Sequence, residues 1–473
     1  MSGSGAKSAP DLVHDPVGPS LVRLAVPMIA GIVVINLFNI VDTWFIGQLG
    51  AEPLAAMAFT FPVTFVVTSM TMGIGVGASA VISRAIGEDH PERVRRLTTH
   101  AMLLGVALVT VMALIGLATI EPLFTALGAS PETLPLIEQY MRPIYFGLGF
   151  LVVPMIGNSA IRATGDTKTP SVIMMVAGGA NLVLDPLLIF GWGPFPRLEL
   201  FGGALATVIS WGLTFLAALY VLHRRERMLA IELPRPAQVL ASWRAILYVG
   251  LPAAATYLLV PVASGILTRL VSDHGPEAVA GYGVGGRVES LAMVVTFALA
   301  TGLAPFVGQN YGARQCGRIR QAVRLSIRFV VGWGLLMAAL LALAGGPLGG
   351  LFADDPAVVE VTRAYLLLVP LSYGAFGVAI IVNTTFNALN RPLRSAAIVI
   401  IRLFVLALPL ALLGRALFGL EGIFGGLALG NVLAGLVAYG FVHRMITLTE
   451  DELAAGAEPE PPDLHHPVPS PTT

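Results

Sequence analysis

The chain has 473 residues, of which 12% are charged and 56% hydrophobic, and its formal net charge is zero. Soluble proteins carry about 25% charged residues, so the lipid bilayer is the expected solvent here. Roughly a dozen spans of about 20 residues use up the length, which excludes a large soluble domain, and the neutral balance gives no electrostatic case for a nucleic-acid partner.

Residues 1–20 lack the basic region and small-residue cleavage site of a removable leader, and read as a cytoplasmic tail. Apolar stretches then fall at about 21–46, 54–82, 98–119, 135–160, 170–191, 202–222, 246–270, 278–306, 323–345, 358–386, 395–414 and 421–443, which predicts twelve transmembrane helices. Residues 21–222 are expected to form an N-lobe of six helices, 223–245 a cytoplasmic linker and 246–445 a C-lobe of six more. The remainder, 446–473, is rich in acid and proline (Glu458, Pro459, Glu460, Pro461, Pro462) and too polar to order itself.

Loops after even-numbered spans hold most of the arginines, among them Arg84, Arg93, Arg95, Arg96, Arg162, Arg224, Arg225, Arg314, Arg318 and Arg394. Loops after odd-numbered spans hold only Arg197 and Arg415, and carry Glu52, Glu121, Glu132, Asp273, Glu277, Asp354 and Asp355 instead. Basic loops stay on the cytoplasmic side, so a multi-pass protein of the cytoplasmic membrane with both termini inside is expected.

A shift of the sequence along itself by 225 residues pairs Pro27 with Pro252, Gly77 with Gly302, Arg93 with Arg318, Pro122 with Pro347, Tyr140 with Tyr365 and Asn158 with Asn383, without a gap. Six spans per half make the halves parallel repeats, related by an axis along the membrane normal. The predicted fold is therefore all-α and integral to the membrane, with two parallel six-helix repeats about a shared cavity.

Ionisable groups within spans cost several kcal/mol and are functional candidates for that reason. Asp42 closes the first span, and its repeat partner is Leu267; Asp185 lies in the fifth, where the second half has leucine. By helical rise Asp42 lies about 31 Å beyond Leu21 and Asp185 about 22 Å beyond Pro170, which places both acids in the outer half of the membrane. Asn181, four residues before Asp185, shares its helix face and can hydrogen-bond it. Buried carboxylic acids can hold a proton, and two of them with amides can hold Na⁺; residue types do not separate these ions. The plainer alternative for Asp42 is an interfacial residue that solvates the helix end. Pro27 removes a backbone hydrogen bond near the start of the first span and is a candidate hinge, or a bland kink that Pro252 repeats. In the second half Glu289 and Arg402 are expected to form a buried pair, the alternative being contact with a cationic substrate or ion. Asn383 and Tyr140 are further candidates for substrate or C-lobe contacts.

Several other chemistries are excluded. A single cysteine, Cys316, allows neither an intrachain disulfide nor a cysteine-based metal site, and no H-E-x-x-H is present, so no resident metal or cofactor is expected. Gly281, Gly283 and Gly286 fit G-x-G-x-x-G but open a span with no strand before it, so helix packing explains them better than a dinucleotide. No Walker lysine is present to draw energy from ATP, and no acid, base and nucleophile cluster as an enzyme would need.

Together with twelve spans in two halves, three segments carry a resemblance: Phe38-Asn39-Ile40-Val41-Asp42-Thr43, the stretch from Asn158 to Pro170, and Asn181 through Pro186. Gly308 through Ala313 is similar too, and the chain resembles the multidrug and toxic compound extrusion (MATE) family over nearly its whole membrane region. The resemblance implies a monomeric antiporter that lets H⁺ or Na⁺ run inward and expels small amphipathic or cationic organic compounds by alternating access. It further implies that Asp42, Asn158, Asn181 and Asp185 form an N-lobe coupling network. Span seven holds no acid where some members keep a C-lobe cation site, and the one acid of span ten, Glu360, lies at its very start. The alternative within the same superfamily is a flippase for lipid-linked precursors.

Overall fold

The computed structural model describes residues 11–230, 235–352 and 354–454; the expected terminal tails lie largely outside this range. Its first half holds α1 (Val17–Gly47), α2 (Ala51–Gly87), α3 (Pro91–Ala126), α4 (Leu134–Ala163), α5 (Lys168–Ile189) and α6 (Glu199–Tyr220). A π-helical turn over Val221–Arg225 extends α6. The second half begins with α7 (Pro236–Ser272), which starts inside the segment expected to be linker. Then come α8 (Pro276–Ala292), α9 (Val294–Gly312), α10 (Cys316–Phe352), α11 (Pro356–Leu368), α12 (Tyr373–Ala388), α13 (Pro392–Ile400) and α14 (Leu408–Ala454).

These helices make twelve crossings. α8 and α9 are one crossing bent by 43°, and a 3₁₀ turn at Val369–Ser372 joins α11 to α12 in another. α13 continues through a π-helical stretch, Ile401–Ala407, into the start of α14. α14 then doubles back at Gly419, whose φ of 63° and ψ of −136° suit only a residue without Cβ. The two arms are antiparallel and touch through small residues: a Cβ on Gly422 would strike Gly414, one on Gly426 would strike Leu410, and one on Gly430 would strike Ala407. The last two crossings are therefore a tight helical hairpin. Lipid gives helices no hydrophobic reason to associate, so close backbone approach at glycine is a main source of packing energy. Large apolar side chains correspondingly face outward, such as Leu343 at 83% exposure and Phe146 at 76%, as a bilayer solvent requires.

Each half has its own core, with two crossings between them: Ile246 of α7 is buried in the first-half core, and the start of the chain is buried in the second. Buried residues of α2, α3, α4 and α6 make the first-half core. Leu12, Val17, Leu21, Leu24 and Ala25, at the beginning of the chain, join Leu303, Phe306 and Tyr311 in a second-half core instead. Polar contacts hold the same turn: Asn310 donates to the Leu12 carbonyl at 3.0 Å, and Arg318 donates to the carbonyls of Leu12 at 3.0 Å and Asp15 at 2.5 Å.

The halves meet mainly through α2 with α7, α1 with α9, and α2 with α9. A Cβ on Gly73 would meet Ala254 and Gly250, and one on Gly77 would meet Ile246. The Gln309 side chain donates to the Ala163 carbonyl at 2.7 Å, and His100 and Ser242 are joined at 2.9 Å. All of these lie toward the arginine-rich end of the bundle. α8 and α11, which lead in from the acidic end, pack on helices of their own half. The two halves are thus sealed at one end.

Candidate functional site

The site is built on the register of α1 against α5. The two helices run parallel: a Cβ on Gly31 would touch Ser171, and one on Gly178 would touch Val34 and Phe38. Glycine on both helices lets them approach closely, and continuing that register brings Asp42 beside Asp185. Asp42 is 7% exposed and Asp185 is fully buried, and their carboxyl groups are within hydrogen-bonding reach of each other.

The partners come from neighbouring helices. With its nitrogen turned to Asp185, the Asn181 amide donates to Asp185 Oδ2 at 2.6 Å and accepts from the Thr207 backbone N–H at 3.3 Å. This orientation gives each amide atom a complementary neighbour, whereas the reverse sets oxygen against oxygen. Tyr140 of α4 is buried and faces both acids electrostatically. Asp42 Oδ1 is buried with no hydrogen-bond partner. An orphaned carboxylate oxygen is costly in a dry site, and two carboxylates side by side cannot both stay charged without a proton or a cation between them. Chemically, the arrangement can accommodate one small positive species between the two acids.

The structure thus brings together Asp42, Asp185, Asn181 and Tyr140, and leaves Asn158 apart. Asn158 is on the same helix as Tyr140 but 18 residues further along, about 27 Å by helical rise, because α4 spans the membrane from the acidic to the arginine-rich end. Pro27 lies where α1 changes allegiance. Leu21 and Leu24 before it pack in the second-half core, while Ser171 of α5 reaches the Met28 sulfur at 3.4 Å, and the helix runs unbroken through the proline.

In the second half the expected Glu289–Arg402 pair becomes a wider network. Tyr365 donates to Glu289 Oε2 at 2.5 Å, and its ring packs edge-on against Tyr282 and Phe424. The Arg402 guanidinium lies 4.3 Å over the Phe376 ring and donates to Asn431 Oδ1 at 3.3 Å, with the Glu289 charge nearby. Arg402 sits on the π-helical stretch, where the extra residue per turn re-aims a side chain. Asn383, at the arginine-rich end of α12, is instead bonded by Ser395 of α13. Thr207, Tyr365 and Asn431 carried no individual signal in the sequence, although Tyr365 is the repeat partner of Tyr140.

Comparison with known proteins gives the same architecture. The MatE family model matches twice, at residues 27–187 and 252–413, which reproduces the internal repeat. A curated relative named "FAD transporter" from Shewanella oneidensis is 40% identical over 437 residues, covering 92% of this chain and 96% of the relative. "Multidrug export protein MepA" from Staphylococcus aureus is 26% identical, covering 93% of this chain and 97% of the relative. The solved structure of the Vibrio cholerae MATE transporter VcmN in its bent form superposes with a TM-score of 0.87 at 31% identity, covering 92% of this chain and 98% of that one. Similarity of this extent, over both halves and the full set of crossings, makes the chain a membrane transporter and not an enzyme, and places it in the MatE family.

Proposed function

We propose that this protein is a secondary active antiporter, which expels small amphipathic or cationic organic compounds and takes H⁺ or Na⁺ in exchange. The observation that carries the reading is the Asp42–Asp185 pair, buried side by side with one oxygen unpartnered. A site that must hold one positive charge can be loaded from one side of the membrane and emptied to the other. The family's multidrug exporters support the organic cargo.

On this reading the protein sits in the cytoplasmic membrane, and the excess of arginine in one set of loops supports a cytoplasmic arginine-rich end with both termini inside. The described conformation is then closed inward, and alternating access requires the glycine seam of α2 and α7 to part. One chain supplies both lobes, which supports transport by a monomer on this reading. A second reading of the cargo, a flavin dinucleotide, is favoured by the 40% identity to the Shewanella relative across both halves.

The test is export of a fluorescent organic cation and, separately, of FAD from vesicles holding the purified protein, with a pH gradient or a Na⁺ gradient imposed alone. Movement driven by one gradient supports antiport and names the ion; no movement of either cargo under either gradient would sink the reading.

A further inference from the structure

Arg162 lies in the last turn of α4 and its side chain turns back into the bundle, where it donates to Ser159 Oγ at 2.7 Å. Ser159 packs against Gly75 of α2, and two residues away Gly73 packs against Ala254 of α7. The guanidinium therefore reaches the level of the inter-lobe seam. Just below it, the Gln309–Ala163 hydrogen bond closes the seam toward the arginine-rich end. Above it on α7, one turn past Ala254, is Tyr257, which belongs to the other half and lies within electrostatic reach of Arg162. Both side chains remain half-buried.

No carboxylate among the described residues forms an ion pair with this arginine. Arg402, the other arginine of the interior, has Glu289 as its counter-charge. The C-terminal dipole of α4 favours a cation in its last turn, so the fold can keep Arg162 charged without an acid beside it. A guanidinium has five N–H donors in a planar fork, and Ser159 occupies only one of its nitrogens. The remaining edge suits a planar or tetrahedral anion bidentately.

We infer that Arg162 is a specificity-determining residue beside the inter-lobe seam, where it binds the phosphate or carboxylate of an amphipathic aromatic anion whose ring lies toward Tyr257. The inference rests on the export reading above and extends it: it assigns the cargo an acidic group and names the side chain that meets it. Because the anion-binding group is on the first half and the aromatic one on the second, a bound cargo touches both lobes at the point where they must separate.

The test is binding in detergent, which needs no gradient and so fails or succeeds independently of the export assay. Riboflavin 5′-phosphate and riboflavin share a ring and differ by one phosphate, and quenching of flavin fluorescence reports both. The wild-type protein is expected to bind the phosphate form on the order of tenfold more tightly. R162Q is expected to bring the two affinities to parity, while R162K, which keeps charge but loses the fork, keeps part of the preference. Should R162Q fail to fold, the wild type and R162K decide between them. Equal wild-type affinities, binding of neither flavin, or a preference that survives unchanged in R162Q would overturn the inference.

Discussion

Asp42 and Asp185 stand carboxyl to carboxyl near the acidic end of the bundle, although 143 residues separate them in the chain. Two glycine contacts between α1 and α5 set that register, so the pair is a property of helix packing as much as of the two acids. Replacing Gly178 by leucine puts its Cβ 3.2 Å from Val34 Cγ1 with the rest of the side chain still to place. Gly178→Leu should therefore separate α1 from α5 and lower coupled export at least as much as loss of one acid, on the order of tenfold. A vesicle export assay checks this.

Neutralising one acid of the pair removes like-charge repulsion without changing shape. Asp185→Asn should keep or raise the thermal unfolding temperature in detergent, with a larger gain at alkaline pH, where the unmodified pair carries most charge. A marked loss of stability would mean the pair is a structural ion site that needs its cation to fold.

Pro27 divides α1 into a part packed on the second half and a part packed on the first. Pro27→Ala restores a backbone donor within a helix and should stabilise the straight form. The expected result is unchanged or tighter cargo binding with slower turnover, seen by comparing equilibrium binding with the export rate.

Gly419 turns the chain between the last two crossings at a φ that side chains with Cβ rarely adopt. Gly419→Val should cost about 1–3 kcal/mol, read as a lowered unfolding temperature. Gly425 faces open space on the same helix, and alanine there should be close to neutral.

Much of this was legible in the sequence because it depends on periodic or repeated features. Span length, loop charge and the 225-residue repeat point to twelve crossings in two halves, and Asp42 and Asp185, which have leucine at the matching places of the second half, stand together in the structure. What escaped depends on which residues face each other across helices. Asn158 resembled a fourth member of the coupling network, but distance along one helix separates it from Tyr140 by about 27 Å. Arg162 reads as a loop residue because the sequence does not show its side chain turning back toward Ser159. The Glu289 network needed a 43° bend in one crossing and a π-helical stretch in another, and neither leaves a compositional trace.

The most direct test of the coupling site compares two kinds of transport in the same reconstituted vesicles, for the unmodified protein, Asp42→Asn and Asp185→Asn. One is uphill export driven by an imposed H⁺ or Na⁺ gradient, and the other is exchange of labelled for unlabelled cargo with no gradient. If the pair carries the coupling ion, both variants lose uphill export while exchange of cargo persists. Uphill export by both variants at the unmodified rate would contradict the assignment.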